Sequence, residues 1–544
     1  MSNCGKLLWA GLCAVCLVFA VSAKADDLTV KTDKGKIHGK RSDDGQVRMF
    51  LGVPYAAPPV GPLRWKPPQP AVRWQGVREA ITFGSRCVQA DIYHDMRFRD
   101  PGPSEDCLNL NVWTPAKDKH AKLPVMVWIY GGGFAAGATS EPRQDGQYLA
   151  HKGVVVVSMN YRLGVFGFFV HPDLVAESPQ HAAGNYGLMD QTAALEWVKK
   201  NIRGFGGDPG NVTIFGESAG SFSVSAQMAS PLAQGLFEKA IGESGAAFDS
   251  HGLTFPPLAE REKTDTAWAM ATFGTSDLAA LRAMSAQDLM QKMAAAEARQ
   301  NGAQEQHPRL RVGDDPDIDG YFLPESVARI FREGKQSHVP LLAGWNRDEP
   351  SALDVNTPEP PTVQSFQQLA QKDFGDRAAD FLKVYPATTN EEAVRSAIDY
   401  RGARFLTLAT WEWLEAQVAG GGVAYRYHFE RPAPADPFHP AGSGAFHSDE
   451  IEYVFGTLDS RTGASWQPED RKLSDLIQTY WTNFARTGDP NGGDAPKWPQ
   501  YSEAGGWQVM HLDADSHAAP DDHRDQWQFL QSNWTKKPPA ADSQ

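Results

Sequence analysis

Three uninterrupted apolar segments constrain the fold of this chain more than any other feature. They read PVMVWIY, VVVVSMNYR and NVTIFG, and they begin at residues 124, 154 and 211. Because their apolar residues do not alternate with polar ones, each segment is typical of a strand that is covered on both faces. Between the last two lies DQTAALEWVKKNIRGFGG, which predicts a helix that stops at Gly204. The strand–helix–strand order predicts an α/β protein with a mainly parallel sheet.

The rest of the chain extends this pattern. Residues 27–115 contain short β-like segments and much proline, whereas 250–335 and 355–420 have helical composition. Later strands are expected at VPLLAGWN, GVAYRYHFE and GGWQVMHL, followed by a last helix in DDHRDQWQFLQSNW. No Gly/Ser linker divides the chain, so we expect one catalytic domain at 26–535. Its helical insertions are expected to cover one end of the sheet, and 536–544 to be a disordered tail.

The segment GESAG, residues 216–220, directly follows the third apolar strand. Small residues around Ser218 allow a strained strand-to-helix turn that exposes the hydroxyl group. Such a serine is a poor nucleophile unless a base lies nearby. Taken alone, these five residues are equally consistent with an ordinary turn.

A glycine run, IYGGGFAAG at residues 129–137, directly follows another predicted strand. Successive glycines let backbone N–H groups point into a cavity without side-chain interference. Such donors stabilise the negative oxygen of a tetrahedral intermediate. A flexible glycine turn is the alternative interpretation.

Three segments together resemble the signatures of type-B carboxylesterases, the family of cholinesterases and bacterial para-nitrobenzyl esterases. They are FGGDPGNVTIFGESAG at 205–220, EDCLNLNVWTP at 105–115 and YGGGF at 130–134. The resemblance covers about residues 28–535 and departs from the family at Asn109, where an aromatic residue is usual. It implies an α/β-hydrolase fold with a large, mainly parallel central sheet flanked by helices. It also implies hydrolysis of carboxylic esters through an acyl-enzyme.

The resemblance assigns the partners of Ser218. AGWNRDE, at 343–349, matches the segment that carries the family's acid, which makes Glu349 the third triad member. GAFHSDEIEYVFG matches the segment that carries the base, which makes His447 the general base. The order serine, acid, histidine is that of an α/β-hydrolase. Asp348, beside Glu349, is the rival for the acid.

The same resemblance implies further site residues. The N–H groups of Gly132, Gly133 and Ala219 are expected to form the oxyanion hole. Arg64 and Glu105 match a family salt bridge. No metal or organic cofactor is needed by this chemistry, and activity should rise through the histidine titration, near pH 6–7 for an unperturbed imidazole.

The substrate is expected to be a small ester, apolar or aromatic. In cholinesterases the disulfide loop carries a tryptophan that binds choline, whereas the corresponding loop here, VQADIYHDMRFRDPGPSED, has none. A quaternary-ammonium substrate is therefore disfavoured. Arg97 and Arg99 in this loop either contact an anionic substrate group or simply face solvent.

The first 25 residues predict a signal peptide. Lys6 precedes the apolar run LLWAGLCAVCLVFAV, and AKA at Ala23–Ala25 is a small-x-small cleavage site. Cleavage after Ala23 and an uncleaved anchor helix are the alternatives. The protein is thus expected to be exported, to the periplasm or the medium, without stable membrane association after cleavage.

Two cysteines, Cys87 and Cys107, remain after the predicted signal segment. They suffice for one disulfide in an oxidising compartment, and two unpaired buried thiols are the alternative. The pair also matches the family's first disulfide. A bond closing residues 88–106 would stabilise the fold by about 3 kcal/mol in the chain-entropy model.

The charge balance restricts the partners. The formal net charge is −14, and scattered Lys and Arg residues make a nucleic-acid partner improbable. The sequence leaves the oligomeric state open between monomer and dimer. The alternative functions are a catalytically silent, cholinesterase-like binding module, or a lactonase, carbamate hydrolase or acyltransferase that uses the same site.

Overall fold

The computed structural model of the chain describes residues 28–248, 255–301 and 315–534. The predicted signal peptide at 1–25 and the predicted tail at 536–544 lie outside these residues. No helix of the described ranges is long and apolar enough to cross a membrane.

The described residues contain sixteen strands. These are β1 Thr29–Lys31, β2 Lys36–His38, β3 Lys40–Arg41, β4 Arg48–Pro54, β5 Val77–Glu79, β6 Arg86–Cys87, β7 Pro103–Ser104, β8 Asn109–Thr114, β9 Leu123–Ile129, β10 Val155–Met159, β11 Gly207–Glu217, β12 Lys239–Glu243, β13 Leu341–Asn346, β14 Ala424–Phe429, β15 Gln508–Leu512 and β16 His517–Pro520.

Seventeen α-helices lie in the same ranges. These are α1 Gln147–His151, α2 Gly164–Phe168, α3 Pro172–Glu177, α4 Tyr186–Asn201, α5 Ala219–Ala229, α6 Leu258–Phe273, α7 Leu278–Ala283, α8 Ala286–Asn301, α9 Val327–Arg332, α10 Ala352–Val355, α11 Val363–Phe374, α12 Ala378–Val384, α13 Asn390–Gly402, α14 Leu408–Ala419, α15 Ile451–Phe455, α16 Pro468–Thr487 and α17 Arg524–Trp534.

The dominant feature is one sheet of eleven strands in the order β3-β4-β8-β10-β9-β11-β12-β13-β14-β15-β16. Neighbouring strands from β10 to β15 run parallel, whereas the pairs at both ends of the sheet are antiparallel. The mainly parallel sheet predicted from the sequence is therefore confirmed.

The three apolar segments form adjacent strands at the centre of this sheet. In register, Val125 of β9 lies beside Val155 of β10 and Val212 of β11, and all three side chains are wholly buried. Helix α5 packs on β11 and β12, and all of its residues are buried. Strands without alternation are thus covered by helices, as double-sided burial requires.

Helix α4 ends slightly differently from the prediction. The α-helix stops at Asn201, and a 3-10 helical turn, Ile202–Phe205, follows it directly. Gly206, at φ 90°, then ends it in the left-handed conformation that glycine adopts without strain. The predicted stop at Gly204 is therefore two residues early.

The carboxyl ends of the parallel strands meet at one edge of the sheet. The glycine run follows β9, Ser218 follows β11, and Glu349 lies three residues beyond β13. The long excursion after β13 returns to this edge. Gly402 at the end of α13 lies beside Glu349, and Phe405, in a π-helical turn between α13 and α14, packs its ring against His447 with centroids 5.2 Å apart. Helical insertions thus cover this end, as expected.

Candidate active site

Ser218 occupies a strained turn between β11 and α5. Its φ of 55° and ψ of −124° lie in a region that residues with a side chain rarely adopt. A Cβ on Gly220 would lie 2.0 Å from the carbonyl oxygen of Ile129, and one on Gly216 would lie 2.6 Å from that same oxygen. Both flanking positions therefore require glycine because backbone of β9 approaches the turn.

The glycine run after β9 packs directly against this turn. A Cβ on Gly131 would lie 2.6 Å from the carbonyl oxygen of Glu217 and 2.9 Å from the Cβ of Ser218. Gly132 has a φ of 98°, and a Cβ there would lie 2.2 Å from the carbonyl oxygen of Ala136. The run is therefore a close-packed backbone wall beside the serine rather than a loose turn.

Three backbone N–H groups near the serine are unused. Those of Gly132, Gly133 and Ala219 donate no hydrogen bond to any part of the chain that the structure describes. Buried N–H groups are nearly always paired, so a set of free donors at one place is suited to an oxygen of a bound molecule.

His447 is joined to Glu349. Its Nδ1 lies 2.6 Å from Oε2 of Glu349, whose side chain is 1% exposed. The other carboxylate oxygen, Oε1, accepts a hydrogen bond from the backbone N–H of Asn346 at 2.8 Å. The carboxylate is thus held at both oxygens, with one directed at the imidazole.

Asp348, the rival for the acid, is engaged elsewhere. Its Oδ1 accepts a hydrogen bond from Arg395 at 2.6 Å, and its Oδ2 accepts one from the backbone N–H of Ala445 at 3.0 Å. These contacts tie α13 to the loop before His447. The geometry therefore favours Glu349 over its neighbour as the partner of the imidazole.

A second carboxylate faces the other side of the His447 ring. Nε2 lies 3.2 Å from Oε1 of Glu217, the residue before Ser218. Within the described residues no hydrogen bond joins the Ser218 hydroxyl to His447. Burial alone would lower the pKa of His447, but the charges of Glu217 and Glu349 outweigh it and raise that pKa above the ordinary imidazole value.

Two more carboxyl groups lie behind Glu217. Glu243, at the end of β12, accepts a hydrogen bond from the Trp481 indole at 2.7 Å, and Glu450 accepts one from the Asn346 amide at 2.5 Å. Burial raises the pKa of Glu217, Glu243 and Glu450. Mutual repulsion prevents the whole group from ionising together.

Sequence reasoning did not connect Glu243 and Glu450 to the site. Both lie in segments that were available to it, IGESG and HSDEIE. Neither segment carries a local signal of this role, because Glu243 and Glu450 are buried by tertiary contacts.

The predicted disulfide between Cys87 and Cys107 is present. Beside it, Arg64 and Glu105 form the expected salt bridge through two contacts of 2.6 and 2.7 Å. The loop that the disulfide closes reaches the glycine run, since a Cβ on Gly133 would lie 3.3 Å from the hydroxyl of its Tyr93. The loop is therefore one wall of the site.

The two loop arginines have protein partners. Arg99 donates to Asp145 at 2.7 Å and lies over the Phe83 ring, so it anchors the loop. Arg97 lies 4.7 Å from the Phe438 ring and donates to the backbone oxygen of His94. The suggestion that Arg99 binds an anionic substrate loses support, because its guanidinium is already engaged.

Comparison with known proteins agrees with this geometry. Residues 26–529 match the model of the carboxylesterase family. The chain is 36% identical to the fumonisin B1 esterase of Sphingopyxis macrogoltabida, with 89% of this chain and 87% of that protein covered. It is 37% identical to the para-nitrobenzyl esterase of Bacillus subtilis (strain 168), covering 87% and 92%, and 35% identical to carboxylesterase 1D of Mus musculus, covering 94% of each.

Among solved structures, one titled PNB esterase superposes with a TM-score of 0.76 at 34% sequence identity. The alignment covers 93% of this chain and 99% of that one. The predicted α/β-hydrolase fold is therefore confirmed.

Proposed function

The chain belongs to the carboxylesterase family and is a carboxylic ester hydrolase, and on that premise we propose that Ser218 is its nucleophile, His447 its general base and Glu349 the acid that orients the base. The observation that carries the proposal is the 2.6 Å contact between His447 and Glu349 at the strand edge where the Ser218 turn lies. The resemblance of the three segments to family motifs supports the same roles.

The proposed reaction has two halves. Ser218 Oγ forms a bond to the ester carbonyl carbon while His447 Nε2 takes its proton. The tetrahedral intermediate collapses, the bond to the alcohol oxygen breaks, and His447 gives the proton to the departing alcohol. Water then attacks the acyl-enzyme with the same base, and the acid and Ser218 are released. Glu349 keeps the imidazole in the productive tautomer and stabilises its charged form.

The oxyanion hole is proposed at the unused N–H groups of Gly132, Gly133 and Ala219. Negative charge develops on the former carbonyl oxygen only during the reaction, so fixed donors favour the transition state over the bound ester. Each such donor contributes roughly 3 kcal/mol. The rigidity of the glycine run supports this role, because donors that are already fixed need no reorganisation.

We propose a small apolar or aromatic ester as the substrate. The disulfide loop lacks tryptophan, and three side chains beside the site are apolar or aromatic: Met96 near Gly132, Tyr93 near Gly133 and Phe405 on His447. One relative is named for the para-nitrobenzyl group, an aromatic alcohol moiety. These features support an aromatic or apolar acyl or alcohol group.

We also propose that the protein is exported, to the periplasm or the medium, and that residues 26–535 act as one catalytic domain. The disulfide supports an oxidising compartment, since such bonds rarely persist where thiols are kept reduced. The apolar segment at 7–21 supports signal-directed export.

A panel of p-nitrophenyl and benzyl esters, assayed on wild type and Ser218→Ala, tests the proposed function. Wild type should hydrolyse neutral aromatic esters, and the variant should retain at most a residual rate, about 10⁴-fold or more below it. Hydrolysis that is equally fast in both proteins would contradict the assignment of the nucleophile. Hydrolysis by neither protein would favour the silent binding module.

A further inference from the structure

A second cluster of histidine and carboxylate side chains lies on the same edge of the sheet, at the ends of β14 and β15. His428 and Glu430 are two positions apart along β14 and its continuation, so both point to the same face. His511 of β15 is the register partner of His428. The parallel pairing of two strands therefore brings three polar side chains together.

The three side chains converge on one point. Oε1 of Glu430 lies 2.8 Å from Nδ1 of His428 and 2.8 Å from Nδ1 of His511. The three possible ligand atoms all lie within 4.8 Å of one another. The side chains of His428, His511 and Glu430 are 13%, 15% and 24% exposed, so the point is sheltered yet reachable from solvent.

Two more imidazoles border the cluster. The His523 ring lies 6.3 Å from the His428 ring, and the His517 ring is stacked on His511 at 5.4 Å, measured between centroids. The chain has 15 histidines, and four of them meet at this one place. The catalytic mechanism uses none of these four.

We propose that His428, Glu430 and His511 bind a divalent transition-metal ion of the zinc class. The ligands are the two Nδ1 atoms and Oε1, and the fourth position is left to water or to His523. Two imidazoles and one carboxylate are a ligand set that zinc accepts, with an open fourth position.

Zinc binding requires an adjustment of the three ligand atoms. Zinc bonds of about 2.1 Å place tetrahedral ligand atoms about 3.4 Å apart, so the carboxylate oxygen must withdraw by about 0.6 Å from each imidazole nitrogen. The two nitrogens, which lie within 4.8 Å of each other, must take the same spacing. Both ring protons then reside on Nε2. The Nε2 of His511 is buried and has no partner in the described part of the chain, so the affinity should be micromolar rather than nanomolar.

Isothermal titration calorimetry of the full chain with ZnCl₂, after treatment with a chelator, tests the proposal. Wild type should bind one zinc ion per chain, with a matching rise in melting temperature. His428→Gln, Glu430→Gln and His511→Gln should each weaken binding by at least about 10-fold. The exposed His120→Gln should leave it unchanged, and so should His447→Gln, which separates this cluster from the catalytic histidine.

The visible absorption of bound Co²⁺ provides a second measurement that does not depend on how well the variants fold. An intense visible band, typical of four-coordinate Co²⁺, is expected for wild type, and circular dichroism in chelator checks the fold of each variant. The proposal is overturned if wild type shows no saturable zinc binding, if the three ligand variants bind as tightly as wild type, or if Co²⁺ gives only the weak band of its hydrated form.

Discussion

Two groups of histidine and carboxylate side chains lie on the same edge of the sheet, and they differ in the ratio of the two residue types. In the proposed catalytic group one imidazole, His447, lies between the carboxylates of Glu349 and Glu217. In the second group one carboxylate, Glu430, accepts hydrogen bonds from two imidazoles. In each group burial alone favours the neutral form of the central residue. The two flanking residues, which are carboxylates around His447 and imidazoles around Glu430, outweigh that effect. The pKa of His447 is raised, and the pKa of Glu430 is held well below its ordinary value.

The ratio of histidine to carboxylate determines which chemistry each group is suited to. An imidazole between carboxylates gains stability when it takes a proton, which is what a general base needs as the serine attacks. A carboxylate between imidazoles remains ionised over the whole physiological range and faces nitrogen atoms that can become ligands. The same two residue types are therefore suited to moving protons in one place and to binding a cation in the other.

Replacing Glu349, the proposed acid, should have the largest effect on activity. Glu349→Gln keeps the shape of the side chain but removes the charge that fixes the His447 tautomer, so kcat should fall by about 10⁴-fold. Steady-state kinetics with an aromatic ester measure this loss. Asp348→Asn is the matched control, because Asp348 contacts Arg395 instead, and an equal loss in that variant would contradict the assignment of the acid.

Removing the second carboxylate should shift the pH profile rather than abolish activity. Ionised Glu217 stabilises the imidazolium form of His447 and raises its pKa, and the base works only when deprotonated. Glu217→Gln should therefore move the rising limb of kcat/KM to lower pH by about one unit. In wild type the limb should lie above the pH 6–7 of an unperturbed imidazole, and it reports the coupled pair.

Profiles of kcat/KM between pH 5 and 9 measure this shift. A limb in Glu217→Gln that is unchanged, or that lies at higher pH than in wild type, would show that the two carboxylates do not act on one imidazole.

Replacing Glu430, in the second group, should have the smallest effect on catalysis. Glu430→Gln should leave kcat/KM unchanged and lower the free energy of unfolding at pH 7 by about 1 kcal/mol, since hydrogen bonds to a charged acceptor are weakened. The folded-state pKa of Glu430 is depressed, so its stabilisation is fully present above the unfolded value near 4.3 and is lost progressively as pH falls from there through the depressed folded-state value.

Urea unfolding of wild type and Glu430→Gln at pH 7 measures the loss of stability, and the same experiment at pH 5 and at pH 3 measures its pH dependence. The exposed Glu503→Gln serves as control. A stability difference that grows on acidification would contradict the account of the second group.

The sequence predicted the centre of the sheet because fully buried strands carry uninterrupted apolar residues. It did not single out β12, whose five residues begin with Lys239 and end with Glu243. Both side chains are buried by tertiary contacts that no local pattern reveals. The turn at Ser218 was predictable because close backbone approach demands glycine at fixed positions.

The candidate site was only partly predictable. Family motifs pointed to Glu349 and His447, whereas composition and spacing alone could not have chosen His447 among 15 histidines. The pairing of His428 with His511 depends on the register of β14 and β15, strands that are distant in sequence. Such contacts between distant segments are set by topology and leave no local trace.

The central claim is that Ser218 carries the acyl group. Wild type should be incubated with a slowly hydrolysed aromatic ester, quenched in acid and analysed by intact-protein mass spectrometry followed by peptide mapping. We expect the mass of one acyl group per chain, located on Ser218 and absent from Ser218→Ala. An acyl group on another residue, or ester turnover by a protein whose Ser218 is not labelled by a fluorophosphonate, would contradict the account.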